Sequence, residues 1–368
     1  MKLKKILLFF ISITLFCCNK KETYTVSPDF NFDWQFRLID SVSKEHDWKK
    51  IRLPHDWSVE ASFDSITGEG ATGYLPGGIG EYKKEFPLKL ADDQMAYVVF
   101  DGVYNNATVS LNGQELGFHP YGYSPFYFDI SSKLKSDNTL NALTVNVDRT
   151  RYVDSRWYSG SGIYRNVELH VKNKLHIPIW GTFVTTPKVS DNLSEVSVEV
   201  KVTNAYEKEK TIEVYTEIFD GNGVSVGQQP SEMVINSNDT STVTQFLSVE
   251  NTKVWDVDNP YIYKAVTSVV QNGKILDTQE TPFGIRTFRF DANEGFFLNG
   301  KNRKIKGVCL HHDAGLVGAA VPKGVWKRRL NKLKEAGCNA IRISHNPGSQ
   351  EFLDLCDEMG FLVQDEFL

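Results

Sequence analysis

The apolar periodicity of this 368-residue chain changes character once, near Phe283. Before that point apolar residues recur at every second position in short runs. Val196-Ser197-Val198-Glu199-Val200 alternates in this way, and so do Leu143 to Val147, Val167 to Val171 and Thr211 to Phe219. That is the pattern of a strand with one buried face. Ala96 to Asp101 is an apolar run that ends in Asp-Gly, and Asn112-Gly113 joins Ala107–Leu111 to Glu115–Phe118 as a hairpin turn. Gly221-Asn222-Gly223 and Asn272-Gly273 mark further turns. Short strands punctuated by such turns predict a jelly-roll β-sandwich over 24–173. An immunoglobulin-like sandwich acting as a spacer is predicted over 175–284.

After Phe283 the spacing becomes helical between short strands. Asn299-Gly300 closes a hairpin, and Lys304 to Val308 reads as a strand. Pro322 to Glu335 carries Trp326, Leu330 and Leu333 at i, i+4 and i+7, with Gly337 as its stop. Ala340 to Ile343 is a strand. Gln350 to Met359 is a helix with Ser349 as N-cap, Phe352, Leu355, Cys356 and Met359 on one face, and Gly360 at its end. Phe361 to Gln364 is a third strand. Strands alternating with helices require a parallel sheet with crossover helices. The fold class is therefore mainly β followed by α/β, with 285–368 as the first three strands of a (β/α)8 barrel. Such a barrel takes about 250 residues, so the chain reads as the front part of a longer protein.

Composition narrows the functions. With 41 basic and 46 acidic residues the net charge is −5, which carries no nucleic-acid signature. Five cysteines over this length exclude a disulfide-stapled scaffold. Cys309, Cys338 and Cys356 lie in apolar contexts and read as free and buried. Gly68 to Gly73 matches the glycine spacing of a dinucleotide site, but no strand precedes it and no helix follows, so it is set aside.

The N-terminus reads as an address. Lys2, Lys4 and Lys5 precede an apolar stretch, Ile6 to Phe16, which is shorter than the roughly 20 residues a membrane span needs. Leu15-Phe16-Cys17-Cys18 resembles the lipobox of bacterial lipoproteins, with Cys18 as acceptor. The expectation is a signal peptide over 1–18, export, and a lipid anchor in a bacterial outer membrane. A plain secretory signal is the alternative.

Candidate chemistry lies at strand ends, where a barrel places its active site. His311-His312-Asp313 follows one strand and Arg342, His345 and Asn346 end the next. Neutral imidazoles donate and accept, and a guanidinium is a fixed fork of donors, so this wall suits a substrate rich in hydroxyls. A turn packed under the first helix is the alternative for the His311 cluster, and His312 is expected to point there. A metal site is a further alternative, without a cysteine or third histidine at ligand spacing. Asp365 and Glu366 are adjacent, so they point to opposite sides and cannot flank a bond. One of them is expected to anchor the wall from behind.

The segment Asn339-Ala340-Ile341-Arg342-Ile343-Ser344-His345-Asn346-Pro347, with Leu355-Cys356-Asp357 and Met359 to Val363, resembles a signature of glycoside hydrolase family 2. Ser155-Arg156-Trp157-Tyr158-Ser159-Gly160-Ser161-Gly162-Ile163-Tyr164-Arg165, Leu53-Pro54-His55-Asp56-Trp57 and Phe100-Asp101-Gly102-Val103 look like its first β domain. The resemblance runs from about Phe30 to Leu368. It implies a retaining exo-β-glycosidase that cleaves terminal β-linked sugars, most simply a β-galactosidase, with a β-glycoside as partner and no cofactor. It implies sugar contacts for His311, Arg342 and His345. Arg156 stands where many members have a sugar-binding Asp. Asn346, Ile343 and Glu81 also depart from the family pattern. The family's nucleophile and acid/base belong to later strands, so no catalytic residue is assigned and this chain is expected to be inactive alone. A β-glucuronidase or β-mannosidase type of member, or a non-catalytic carbohydrate-binding surface lipoprotein, is the alternative. The sequence sets no oligomeric state.

Overall fold

The computed structural model describes residues 28–39, 47–66, 70–136, 139–151 and 155–367. The signal segment and Cys18 lie outside them, as do Gly68 and Glu69. Gly70–Thr72 is a single 3-10 turn. Among the described residues no helix is long and apolar enough to cross a membrane.

Two antiparallel sheets form the first domain. Six strands lie in the order Lys49–Ile51, Trp34–Ile39, Gly78–Phe86, Asn141–Arg149, Ala107–Leu111, Gln114–His119. The opposing sheet sets Gln94–Phe100 between Phe126–Asp129 and Val167–Asn173. Asn141–Arg149 is buried at every second residue, as its alternation predicts. The hairpin turn has φ 53° at Asn112 and 77° at Gly113, a conformation Asn-Gly adopts at little cost. The core mixes rings with aliphatic side chains: Phe30, Trp34, Phe36, Trp57, Tyr82, Phe86 and Phe100 are all buried, among them Val98, Val109, Leu143 and Val145.

The second domain also packs two sheets. One holds Leu175–His176, Leu193–Asn204, Thr182–Lys188 and Asp239–Glu250. The other runs Ser225–Ile235, Lys210–Phe219, Tyr263–Gln271, Lys274–Phe283. Between them Val196, Val198, Val200, Val202, Val214 and Ile218 are wholly buried. A buried Lys172–Asp277 ion pair, 2.9 Å long, ties the first two domains together.

A hairpin of Phe288–Asp291, Gly295–Leu298 and Lys301–Asn302 leads into three parallel barrel strands. These are β1 (Gly307–Leu310), β2 (Ala340–Ile343) and β3 (Leu362–Gln364). The crossover helices are α1 (Lys323–Glu335) and α2 (Gln350–Met359). Ser349 caps α2 by accepting the Phe352 amide, and Gly360 closes it with φ 74°. Ile341 and Ile343 face the helices, packing with Trp326, Leu330, Phe352 and Leu355. Register sets Cys309, Arg342 and Gln364 side by side on the opposite face, the inward one in a barrel.

Two expectations need correction. The first barrel strand begins at Gly307, not Lys304. Asn339 Oδ1 accepts the Lys306 amide and Asn339 returns its own amide to the Lys306 carbonyl, so this stretch is held by a side chain rather than a ladder. Cys309 is exposed rather than buried, because it lies on the inward row; Cys338 is partly buried and Cys356 fully so.

Candidate functional site

His311 is the first residue beyond β1, His345 the second beyond β2 and Glu366 the second beyond β3. The parallel register brings the three together. The Nδ1–H of His311 donates to the Ser344 carbonyl at 2.7 Å. A carbonyl only accepts, so Nδ1 carries a proton, and in a neutral ring Nε2 is the acceptor. His345 Nδ1 donates to Glu366 Oε2 at 3.0 Å. Arg342 grips the same carboxylate with two donors, Nε to Oε1 at 2.5 Å and Nη2 to Oε2 at 3.0 Å. Such a two-pronged contact fixes the plane of the guanidinium. Arg342, and then His345, hold the Glu366 carboxyl below the usual range, and Glu366 raises Arg342 in return.

The first domain lays a ring over this wall. Trp157 lies nearly parallel to His311, at 6.0 Å and 10°, and tilted on His345 at 4.9 Å. The two imidazoles are 5.7 Å apart. Trp157 Nε1 donates to Tyr123 Oη at 3.1 Å. Of the residues singled out from sequence, His311, Arg342 and His345 thus meet in one cluster. Arg156 does not join it by any described contact and is exposed. Its neighbour Trp157 makes the inward contact, which sequence reasoning missed; the aromatic-glycine loop was visible, but not which of two adjacent side chains turns inward. Glu366 bonds both Arg342 and His345. Asp365 turns to the Gly348 amide, accepting at 3.1 Å.

His312 is buried, but not under α1. Its Nε2 meets the Ser159 carbonyl at 3.1 Å, and its ring sits between Tyr123 and Tyr164 of the first domain. The expected packing is corrected because the strand end projects His312 away from the helix layer and into the junction between domains. Burial pushes its imidazole down to about 4, so it is neutral at pH 7. Arg165 crosses the same junction, donating from Nη2 to the Pro347 carbonyl at 2.6 Å. Asp56 crosses it too, accepting from the Ala319 amide at 2.9 Å. Burial pushes the Asp56 carboxyl up, against the pull of its hydrogen bonds. Among the described residues no cluster of three or more His, Cys, Asp or Glu is placed to hold a metal ion.

The family models match in chain order. The sugar binding domain of glycosyl hydrolases family 2 covers 66–173, the central family 2 domain 176–286 and the family 2 TIM barrel domain 291–367. A β-galactosidase of Bacteroides ovatus, BoGH2A, is 44% identical over 93% of this chain and 41% of its own length. A β-glucuronidase of Formosa agariphila is 31% identical over 91% of this chain and 37% of its own. The crystal structure of a glycosyl hydrolase family 2 member from Bacteroides cellulosilyticus superposes with a TM-score of 0.87 at 36% identity, covering 92% of this chain and 45% of that one. The chain spans less than half the length of these relatives. Three domain models in the family's order show that the chain belongs to glycosyl hydrolase family 2.

Proposed function

We propose that the protein hydrolyses terminal non-reducing β-glycosidic bonds by a retaining mechanism, with β-galactosides as its substrates. The observation that carries this reading is the cluster of His311, His345, Arg342 and Glu366 beneath the Trp157 ring. An acceptor nitrogen, a carboxylate-oriented imidazole and an aromatic face complement a hexose, which offers hydroxyls on its rim and C–H bonds on its faces. In this reading His311, Arg342 and His345 bind the sugar, and exposed Arg156 reaches its outer edge. The choice of galactoside follows the Bacteroides ovatus relative, a β-galactosidase. Retaining hydrolysis needs two carboxylates about 5–5.5 Å apart. Asp365 and Glu366 are engaged elsewhere, and we assign neither to that pair.

The test is turnover by the protein encoded by the complete gene, with nitrophenyl β-galactoside and nitrophenyl β-glucuronide side by side. Faster cleavage of the galactoside supports the reading. Faster cleavage of the glucuronide overturns the sugar, and no cleavage of any aryl β-glycoside overturns the activity in favour of a carbohydrate-binding role. His345→Ala should cost on the order of 2–4 kcal/mol of transition-state stabilisation, seen in kcat/KM. The N-terminal segment supports export and anchoring through Cys18. Cys18→Ser should then move the protein from the membrane to the soluble fraction, and continued membrane partitioning would refute that acceptor.

A further inference from the structure

Four donors converge on one carboxylate for which the sugar wall itself has no use. Asp56 Oδ1 accepts from the amides of Ser58 at 3.1 Å and Ser161 at 3.0 Å. Its Oδ2 accepts from Tyr158 Oη at 2.6 Å and from the Ala319 amide at 2.9 Å. Tyr158 and Ser161 belong to the segment that carries Trp157. Ala319 belongs to the loop that leaves β1 at His311. One buried side chain therefore holds both the ring and the strand end over which it lies. The main chain is moulded to it. At Gly160, with φ 74°, a Cβ would stand 2.7 Å from Oδ2, and a Cβ at Gly318, with φ 57°, would collide with the same oxygen. A buried carboxylate with its lone pairs filled constrains geometry strongly, because each bond left unmade strands a buried donor.

We infer that Asp56 is a positioning residue of the sugar subsite. Acting through Tyr158, Ser161 and Ala319, it sets the distance between the Trp157 ring and the two imidazoles, and with it the width of the slot that admits the pyranose. The purpose of that slot rests on the functional reading above; its geometry does not. The carboxylate is needed for its two acceptor oxygens and not for its volume. An amide in its place turns an NH2 toward at least one N–H donor.

The experiment reads ring geometry without any sugar. In the full chain, with histidine labelled at Cε1, the resonances of His311 and His345 lie in the ring current of Trp157. Trp157→Ala defines the full displacement. Asp56→Asn is expected to move both resonances at least half as far, and Tyr158→Phe to move them the same way by less. Val145→Ala empties part of the same sandwich core from a strand outside the loop. It should lower the melting temperature and leave both resonances in place, which a merely structural role for Asp56 does not predict. Unmoved resonances in folded Asp56→Asn overturn the inference, as does an equal displacement in Val145→Ala. If Asp56→Asn does not fold, Tyr158→Phe decides in the same terms. Failure to cleave aryl β-glycosides leaves these shifts unaffected, so the two readings fail separately.

Discussion

The first β domain packs many rings among its aliphatic core side chains, whereas the second fills its core mainly with valine and isoleucine. Both are sandwiches built from alternating strands, yet only the first sends a loop over the barrel's strand ends. An aliphatic core asks little of its loops, since interchangeable branched side chains fill the space between two regular sheets. The first domain has buried polar atoms woven through its aromatic side chains. Tyr82 Oη meets His55 Nδ1 at 2.8 Å, and the Trp34 indole donates to the Phe30 carbonyl at 2.7 Å. Its surface toward the barrel continues the same style through Asp56, Arg165 and His312. The contrast separates a domain that supports from a domain that takes part.

The sharpest way to break this contrast is to empty each core in turn. Trp34→Ala removes a fully buried indole and should cost about 3–5 kcal/mol. Hydrogen exchange in strands Trp34–Ile39 and Gly78–Phe86 should report it, while the amides of Leu193–Asn204 stay protected. Equal loss of protection in both sandwiches would show that the two unfold as one unit.

Acid should strike the junction next. Burial holds His312 at about 4 in the folded chain, against roughly 6.5 when unfolded. As pH falls from 6.5 to 4 the unfolded chain takes up the proton first, so stability is full above that window and drains across it. The loss from this residue is roughly 3 kcal/mol. His55 and His176 are held equally low by burial and act in the same direction. Asp56, raised by burial, acts in the opposite one. The measurement is therefore a difference: denaturation of His312→Asn and the parent chain at pH 7 and pH 4.5. The variant should show the shallower decline, and parallel declines would refute a neutral buried imidazole at the junction.

How much of this was legible in the sequence depended on how far each residue's partners lie along the chain. Alternation in Asn141–Arg149 and helical spacing in Lys323–Glu335 are local properties, and both elements formed where the pattern put them. The caps at Ser349 and Gly360 are local as well. Lys304 to Val308 misled because it alternates like a strand, while Asn339 takes over its backbone groups from more than thirty residues away. His312 misled for the same reason, since the Ser159 carbonyl that receives it is 153 residues upstream. At the wall, strand order brought His311, Arg342 and His345 together without further information. Trp157 needed knowledge of how two domains dock, which no spacing encodes.

Smaller changes sharpen the contrast from the other side. Val198→Ala in the second sandwich should cost about 2 kcal/mol, two methyl groups plus the space they leave. It should not alter the His311 or His345 resonances, and any movement there would give the second domain a part in shaping the site. Smallest of all is Ser344→Ala. The Ser344 hydroxyl is buried with no hydrogen-bond partner among the described residues, so its removal should change stability by no more than about 0.5 kcal/mol. A larger loss would reveal an interaction of that hydroxyl.

The near-silence expected at Ser344 follows from where its useful atoms are. Its amide donates to the Leu310 carbonyl at 2.8 Å, and its carbonyl receives the His311 imidazole at 2.7 Å. The bearing of the His311 imidazole, just past β1, is thus set by the main chain just past β2. A change at Ser344 that keeps the backbone should therefore leave that imidazole aimed as before.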